Sequence, residues 1–190
     1  MSVQILNRFF LCLFLSYAVP TGSLQKPKAP ASAKPNIEVC NLLTGSDLQA
    51  VLGESAKQTK SSTQPGGGLL MSQCFFGVAG SAKSVSLAVA RANPADNAKL
   101  TPRAFWRKQF HAAEPERVKN SEAEHEEELR KARPITGVGE EAYWVGNPIL
   151  GALYVLQGDM FLRISVGGIR QEPERIEKSK ALARAALKRL

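Results

Sequence analysis

Residues 152–168, ALYVLQGDMFLRISVGG, are two alternating apolar runs joined by Gly158-Asp159, and no other stretch restricts the fold as much. A two-residue link that starts with glycine between period-two runs makes a tight β-hairpin. Strand side chains alternate between faces, so the turn sets the register. Val155 then opposes Leu162 and Leu153 opposes Ile164 on one face, while Tyr154 opposes Arg163 on the other. The first face belongs to a core. The second sets an aromatic ring beside a guanidinium, where a cation–π contact can form.

Other segments extend this pattern. LLMSQCFFGV (69–78) and KSVSLAVARA (83–92), with Ala-Gly-Ser-Ala between them, predict a second hairpin. Tyr143 and Trp144 in ITGVGEEAYWVGNP predict one more strand. Residues 54–68, ESAKQTKSSTQPGGG, are polar and end in Pro-Gly-Gly-Gly, which predicts a flexible loop. A phosphate-cradling loop needs a following helix and a Lys-Ser/Thr pair, and a strand follows here.

Helix signals flank the strands. Thr44 and Asp47 have capping-box spacing, Leu43 and Leu48 have staple spacing, and Gly53 suits the position past the helix end. Thr101 caps and Pro102 opens a second helix whose Phe105, Trp106, Phe110 and Ala113 cluster on one side. Residues 116–134 are dominated by charge and predict a solvated excursion, partly helical over 123–133. A last helix starts at Pro173, with Glu172, Glu174 and Glu177 early and Arg184, Lys188 and Arg189 late, matching the macrodipole. Its apolar stripe is expected at Ile176, Ala183, Leu187 and Leu190, with Leu182 nearby. The predicted order is α-ββ-α-βββ-α. This is an α+β fold, an antiparallel sheet of two hairpins plus an extra strand, with helices packed on one face.

The N-terminus addresses the chain. Arg8 precedes an apolar run from Phe9 to Val19, then Pro20 and the small residues Thr21, Gly22 and Ser23. This is the layout of a secretory signal peptide over residues 1–23, and the run is too short to span a bilayer as a helix. An uncleaved anchor is the alternative. Cys12 follows Phe10 and Leu11 inside the apolar run, so it does not fit a lipoprotein signal. Residues 24–37, with Pro27, Pro30 and Pro35 among Lys, Ala and Ser, read as an extended tether. Residues 38–190 then make a single domain.

Export decides the cysteines. Cys12 leaves with the signal, and Cys40 and Cys74 remain in an oxidising compartment, where two thiols pair. No further ligands lie near for a zinc site, and a redox motif needs a close Cys-x-x-Cys. The expected Cys40–Cys74 disulfide closes a loop of about 34 residues, worth roughly 3–4 kcal/mol in the chain-entropy model. The formal net charge of +8 fits a solvated basic surface or weak attraction to an anionic envelope component. Export argues against nucleic acid as partner.

Cys40 before Leu-Leu-Thr, the following Asp-Leu and Leu-Gly up to Gly53, Cys74-Phe75-Phe76, the Gly-x-Gly-Glu-Glu-Ala-Tyr run from Gly137 to Tyr143, and the late hairpin with its terminal helix together resemble the exported bacterial proteins grouped as domain of unknown function 3558. The resemblance spans roughly residues 40–190. It implies an extracytoplasmic α+β domain and carries no catalytic residues. The family is largely lipoproteins, and the absence of a lipobox cysteine is a departure.

Few residues point to chemistry. His111 and His125 are the two histidines. His125, with Glu122 and Glu126, is the weak metal candidate, read first as a solvated acidic face because consecutive Glu on a helix diverge. Glu140 and Glu141 are neighbours on a strand and face opposite sides, so they do not form a catalytic pair. No Gly-x-Ser-x-Gly occurs. Tyr143, Trp144, Tyr154, Phe161 and Arg163 are the candidate ligand face, with aromatic walls and one cation suited to a small anion; packing under helices is the plainer reading. The expected function is an exported, non-enzymatic domain that needs no cofactor and binds a partner protein, envelope polymer or small ligand. The alternatives are a small hydrolytic or metal-dependent enzyme using His111 or His125, and an inhibitor or assembly factor for another envelope protein.

Overall fold

The computed structural model describes residues 37–78, 81–95, 100–111 and 132–190. The signal segment, the tether up to residue 36, and the acidic stretch holding Glu122, His125 and Glu126 lie outside the described residues. The folded unit spans Lys34–Leu190. After a 3-10 turn at Val39–Leu42 come α1 (Gly45–Leu52), β1 (Gln58–Gly66), β2 (Leu69–Gly77), β3 (Ser84–Ala92) and α2 (Pro102–Phe110). Then follow β4 (Arg133–Pro134), β5 (Glu141–Gly146), β6 (Gly151–Gln157), β7 (Met160–Gly167) and α3 (Glu172–Leu187).

The caps form as their spacing predicts. Thr44 and Asp47 make a reciprocal capping box, and Gly53 ends α1 in the left-handed region at φ 76°. The Thr101 side chain accepts from the Ala104 N–H at the start of α2.

The seven strands form one antiparallel sheet in the order β1-β2-β3-β7-β6-β5-β4. The β6–β7 register is the predicted one: Leu153 pairs with Ile164, Tyr154 with Arg163 and Val155 with Leu162. The loop expected over 54–68 is instead mostly strand β1, paired along its length with β2. All nine of its residues are exposed, so it carries no alternating apolar signal. Its stability comes from backbone bonds to the apolar β2, and the edge position tolerates Pro65. Gly67 and Gly68, at φ 57° and 80°, make the two-residue turn between them.

One face of the sheet carries the main core. Cys74, Phe76, Val85, Leu87, Val89, Trp144, Leu153, Val155, Leu162, Ile164 and Val166 pack there with Leu48 and Leu52 of α1 and Leu182, Ala183 and Ala186 of α3. Cys40 in the 3-10 turn is bonded to Cys74, with 5.1 Å between their Cα atoms. The bridge therefore ties the segment leading into α1 to β2, the strand next to the β1 edge of the sheet.

The expectation of helices on one face holds for α1 and α3, whereas α2 covers part of the opposite face. Trp106 packs there with Leu69, Ala90, Leu156 and Phe161, flanked by Phe105, Phe110, Tyr143 and Tyr154. Those strand positions alternate with the main-core set, so an aromatic helix is what keeps them from water. The buried stripe of α3 also differs from expectation. Arg175, Ser179, Leu182, Ala183 and Ala186 are buried, while Ile176 and Leu187 are partly buried and Leu190 is exposed. The stripe is rotated because Arg175 turns inward to serve the loops at the end of the sheet.

Candidate functional site

The part of the second face that α2 leaves uncovered among the described residues lies beside that helix. Strand alternation places Gln73 and Phe75 of β2, Ser86 of β3, and Arg163 and Ser165 of β7 on it. At its β5–β6 end the surface deepens into a cleft of about 570 Å³ lined by Val145, Gly146, Asn147, Leu150, Gly151, Ala152, Tyr154, Arg163 and Ser165.

Among the described residues Arg163 is its only charged lining residue. Its Nε donates to the Tyr154 hydroxyl at 3.1 Å, and its guanidinium carbon lies 5.9 Å from that ring's centroid. Its two terminal nitrogens have no hydrogen-bond or carboxylate partner among the described residues. Ser165 Oγ donates to the Gly151 carbonyl at 2.9 Å, joining β7 to the start of β6.

The far wall is the turn Asn147-Pro148-Ile149-Leu150. The Asn147 N–H donates to the Leu150 carbonyl at 2.7 Å, and Asn147 Oδ1 accepts from the Ile149 and Leu150 N–H groups at 2.9 and 2.8 Å. Both dihedral preference and side-chain capping suit Asn-Pro to such a turn. Buried Arg175 holds it from the other side. Its terminal nitrogens donate to the carbonyls of Asn147, Pro148, Ile169 and Arg170 at 2.9–3.0 Å. The flanking glycines are needed for close packing: a Cβ on Gly151 would lie 2.2 Å from Cζ2 of Trp144, and one on Gly146 would lie 2.6 Å from Cα of Gly151.

Of the residues singled out in the sequence, Tyr154 and Arg163 meet in the cleft. Tyr143 and Phe161 share their face but lie under α2, stacked on Phe110 at 4.6 Å and Phe105 at 5.4 Å. Trp144 does not belong to this face. It is fully buried in the main core, with Nε1 donating to Glu172 at 2.8 Å. The reason is parity: neighbours on a strand point to opposite sides, so Tyr143 and Trp144 cannot share a surface. Asn147, Leu150, Ser165 and Arg175 escaped the sequence reading. The Asn-Pro dipeptide was the one local signal for the turn; the rest depends on which strands become neighbours.

His111 Nε2 lies 2.7 Å from Glu141 Oε2, but both side chains are more than two-fifths exposed and neither lines the cleft. Glu141 also accepts from Trp106 Nε1 at 3.0 Å. The Trp106 and His111 hydrogen bonds hold the Glu141 carboxyl below its ordinary range. The cluster fastens both ends of α2's last turns to β5. Glu140 turns away, accepting from the Gly158 N–H and from Arg103, which likewise keep its pKa low. Burial raises the pKa of Glu172, but hydrogen bonds from Trp144 and Arg133 outweigh it and leave the net shift downward. Among the described residues no three His, Cys, Asp or Glu side chains gather as a metal site; the weak candidates Glu122, His125 and Glu126 are not among them.

Fold and site define a disulfide-braced α+β domain with one sheet face roofed by two helices and the other half-covered, leaving an arginine-bearing cleft. In comparisons with known proteins, no family model, curated protein or solved structure matches the chain.

Proposed function

We propose that this domain acts outside the cytoplasm as a non-enzymatic binding module and that its ligand is a small molecule seated in the cleft between β5, β6 and β7. The observation that carries the reading is Arg163: a half-buried guanidinium with both terminal nitrogens unengaged among the described residues, at the floor of a cleft of single-molecule size. A guanidinium with open donors is a ready partner for a carboxylate or phosphate. Export is supported by the apolar N-terminal run that follows Arg8 and by the Cys40–Cys74 bond. No helix of the described residues is long and apolar enough to cross a membrane.

The test uses wild type and Val145→Trp, which fills the cleft from a half-exposed position. Both proteins are incubated with a solvent extract of the source cell envelope, and retained small molecules are identified by mass spectrometry. Compounds held by wild type and lost from Val145→Trp are expected. Identical retention by the two proteins rejects the cleft as the binding site.

A second reading, as an inhibitor or assembly factor, is favoured by β1, which ends the sheet with nine exposed residues. An exposed strand edge can accept another chain's strand. Slowed amide exchange along residues 58–66 on adding an envelope partner supports it, and unchanged exchange rejects it.

A further inference from the structure

We infer that the cleft takes a carboxylate carried on an apolar chain, with the acid on Arg163 and the chain against the β5–β6 turn. The inference rests on the proposed binding role of the cleft and adds the chemical class of its occupant. Three features select that class.

The first is charge. Arg163 is the one charged residue in the lining, and it has no carboxylate partner among the described residues. The Tyr154 hydroxyl engages Nε and restrains the guanidinium, which leaves the terminal N–H groups as its open donors among the described residues. One unpaired cation suits one anionic group, whereas a polyphosphate or sulfated polymer calls for several.

The second is the character of the walls. Val145, Leu150 and Ala152 are apolar, and Gly146 and Gly151 add no side chain. Ser165 Oγ and Asn147 Oδ1 are already engaged with backbone groups. Outside the polar group of Arg163, Tyr154, Asn147 and Ser165 the lining side chains offer no hydrogen-bond partner, so hydroxyls spread along the whole length of a ligand would lose water hydrogen bonds without replacement.

The third is the rim. Ile149 and Leu150 are 78% and 72% exposed, the most exposed large aliphatic residues described. They are held there by the Asn147 side chain and, through the Asn147 and Pro148 carbonyls, by buried Arg175. A rigid turn that keeps two aliphatic side chains in water beside a cleft pre-organises an apolar contact. Burying them under a chain returns about 25 cal/mol per Å² covered.

The experiment is isothermal titration of the oxidised protein with octanoate, acetate and octyltrimethylammonium. Octanoate is expected to bind at one site, with acetate and octyltrimethylammonium each weaker by about tenfold or more. Arg163→Gln should weaken octanoate by about tenfold and Arg163→Lys by less, because lysine keeps the charge but not the fork. Ile149→Ser/Leu150→Ser should weaken octanoate and leave acetate unchanged; these two side chains are exposed, so the variant tests the rim without disturbing the core. Equal binding of octanoate and octyltrimethylammonium, equal binding of octanoate and acetate, or an Arg163→Gln affinity equal to wild type overturns the inference, as does no octanoate binding. If octanoate fails while the envelope extract still yields compounds lost from Val145→Trp, the ligand class is wrong and the site stands. If both fail, the binding role falls as well.

Discussion

Arg175→Met isolates what one buried charge contributes to this fold. Arg175 is 2% exposed in the native domain, and methionine keeps most of its unbranched stem while removing the guanidinium. Four carbonyl acceptors lose their donor at once: Asn147 and Pro148 in the β5–β6 turn, Ile169 and Arg170 before α3. Hydrogen bonds to a charged group contribute about 1.5–3 kcal/mol each, so a simple sum reaches roughly 6–12 kcal/mol. Two effects shrink it. The native guanidinium bears a desolvation cost of several kcal/mol, and its Nε has no partner among the described residues. Pro148 and Arg170 are exposed residues, whose carbonyls can turn to water. The expected net loss is about 2–4 kcal/mol, which for a domain of this size lowers Tm by roughly 5–15 °C. Thermal unfolding followed by circular dichroism reads the shift, and amide exchange at Ile149 and Leu150 reads the loosening of the turn. Arg175→Lys should fall between, since an ammonium cannot span both loops. A Tm within a degree or so of wild type, with exchange at Ile149 and Leu150 unaltered, refutes the claim that Arg175 is the tie between the loops.

Opening the Cys40–Cys74 bond with reductant should lower stability by about 3–4 kcal/mol, read from the urea midpoint and slope together; an unmoved midpoint contradicts the brace. Gly151→Ala should cost about 1–3 kcal/mol or more in thermal unfolding, because its methyl would meet the Trp144 ring inside the core, and a neutral outcome would show that Trp144 can shift. Glu172 has a folded pKa below its ordinary 4.5, so its unfolded form takes up protons first as pH falls. Its contribution is therefore full above the unfolded value and lost as pH drops through the folded one. Tm measured across the acidic range should decline less steeply for Glu172→Gln than for wild type, and parallel curves would dismiss the linkage.

The elements legible in the sequence share one property: their signals are local. Thr44, Asp47 and Gly53 define α1 through backbone donors within a few residues, and Gly158-Asp159 sets the β6–β7 register through the alternation on either side. β1 was illegible because a polar edge strand buries nothing; its bonds are to β2's backbone, which no periodicity records. Half of the candidate site was readable. The register placed Tyr154 beside Arg163, while Trp144 was grouped with them against the same alternation rule that separated Glu140 from Glu141. Which face α2 would cover was beyond reach, since both faces of β6 and β7 carry apolar residues.

From the chain alone came the α+β class, the hairpin register, the helix caps and the pairing of Cys40 with Cys74; the first three follow from contacts near in sequence, and the pairing from reading the N-terminal run as an export signal that leaves two thiols. Tertiary structure alone decided that β3 joins β7, that α2 shelters Tyr143 and Phe161 but leaves Arg163 open, and that Arg175 turns inward to hold the turn lining the cleft. Those outcomes depend on which surfaces find each other across the fold, and burial energy is shared among distant residues in a way that leaves no mark in any short window.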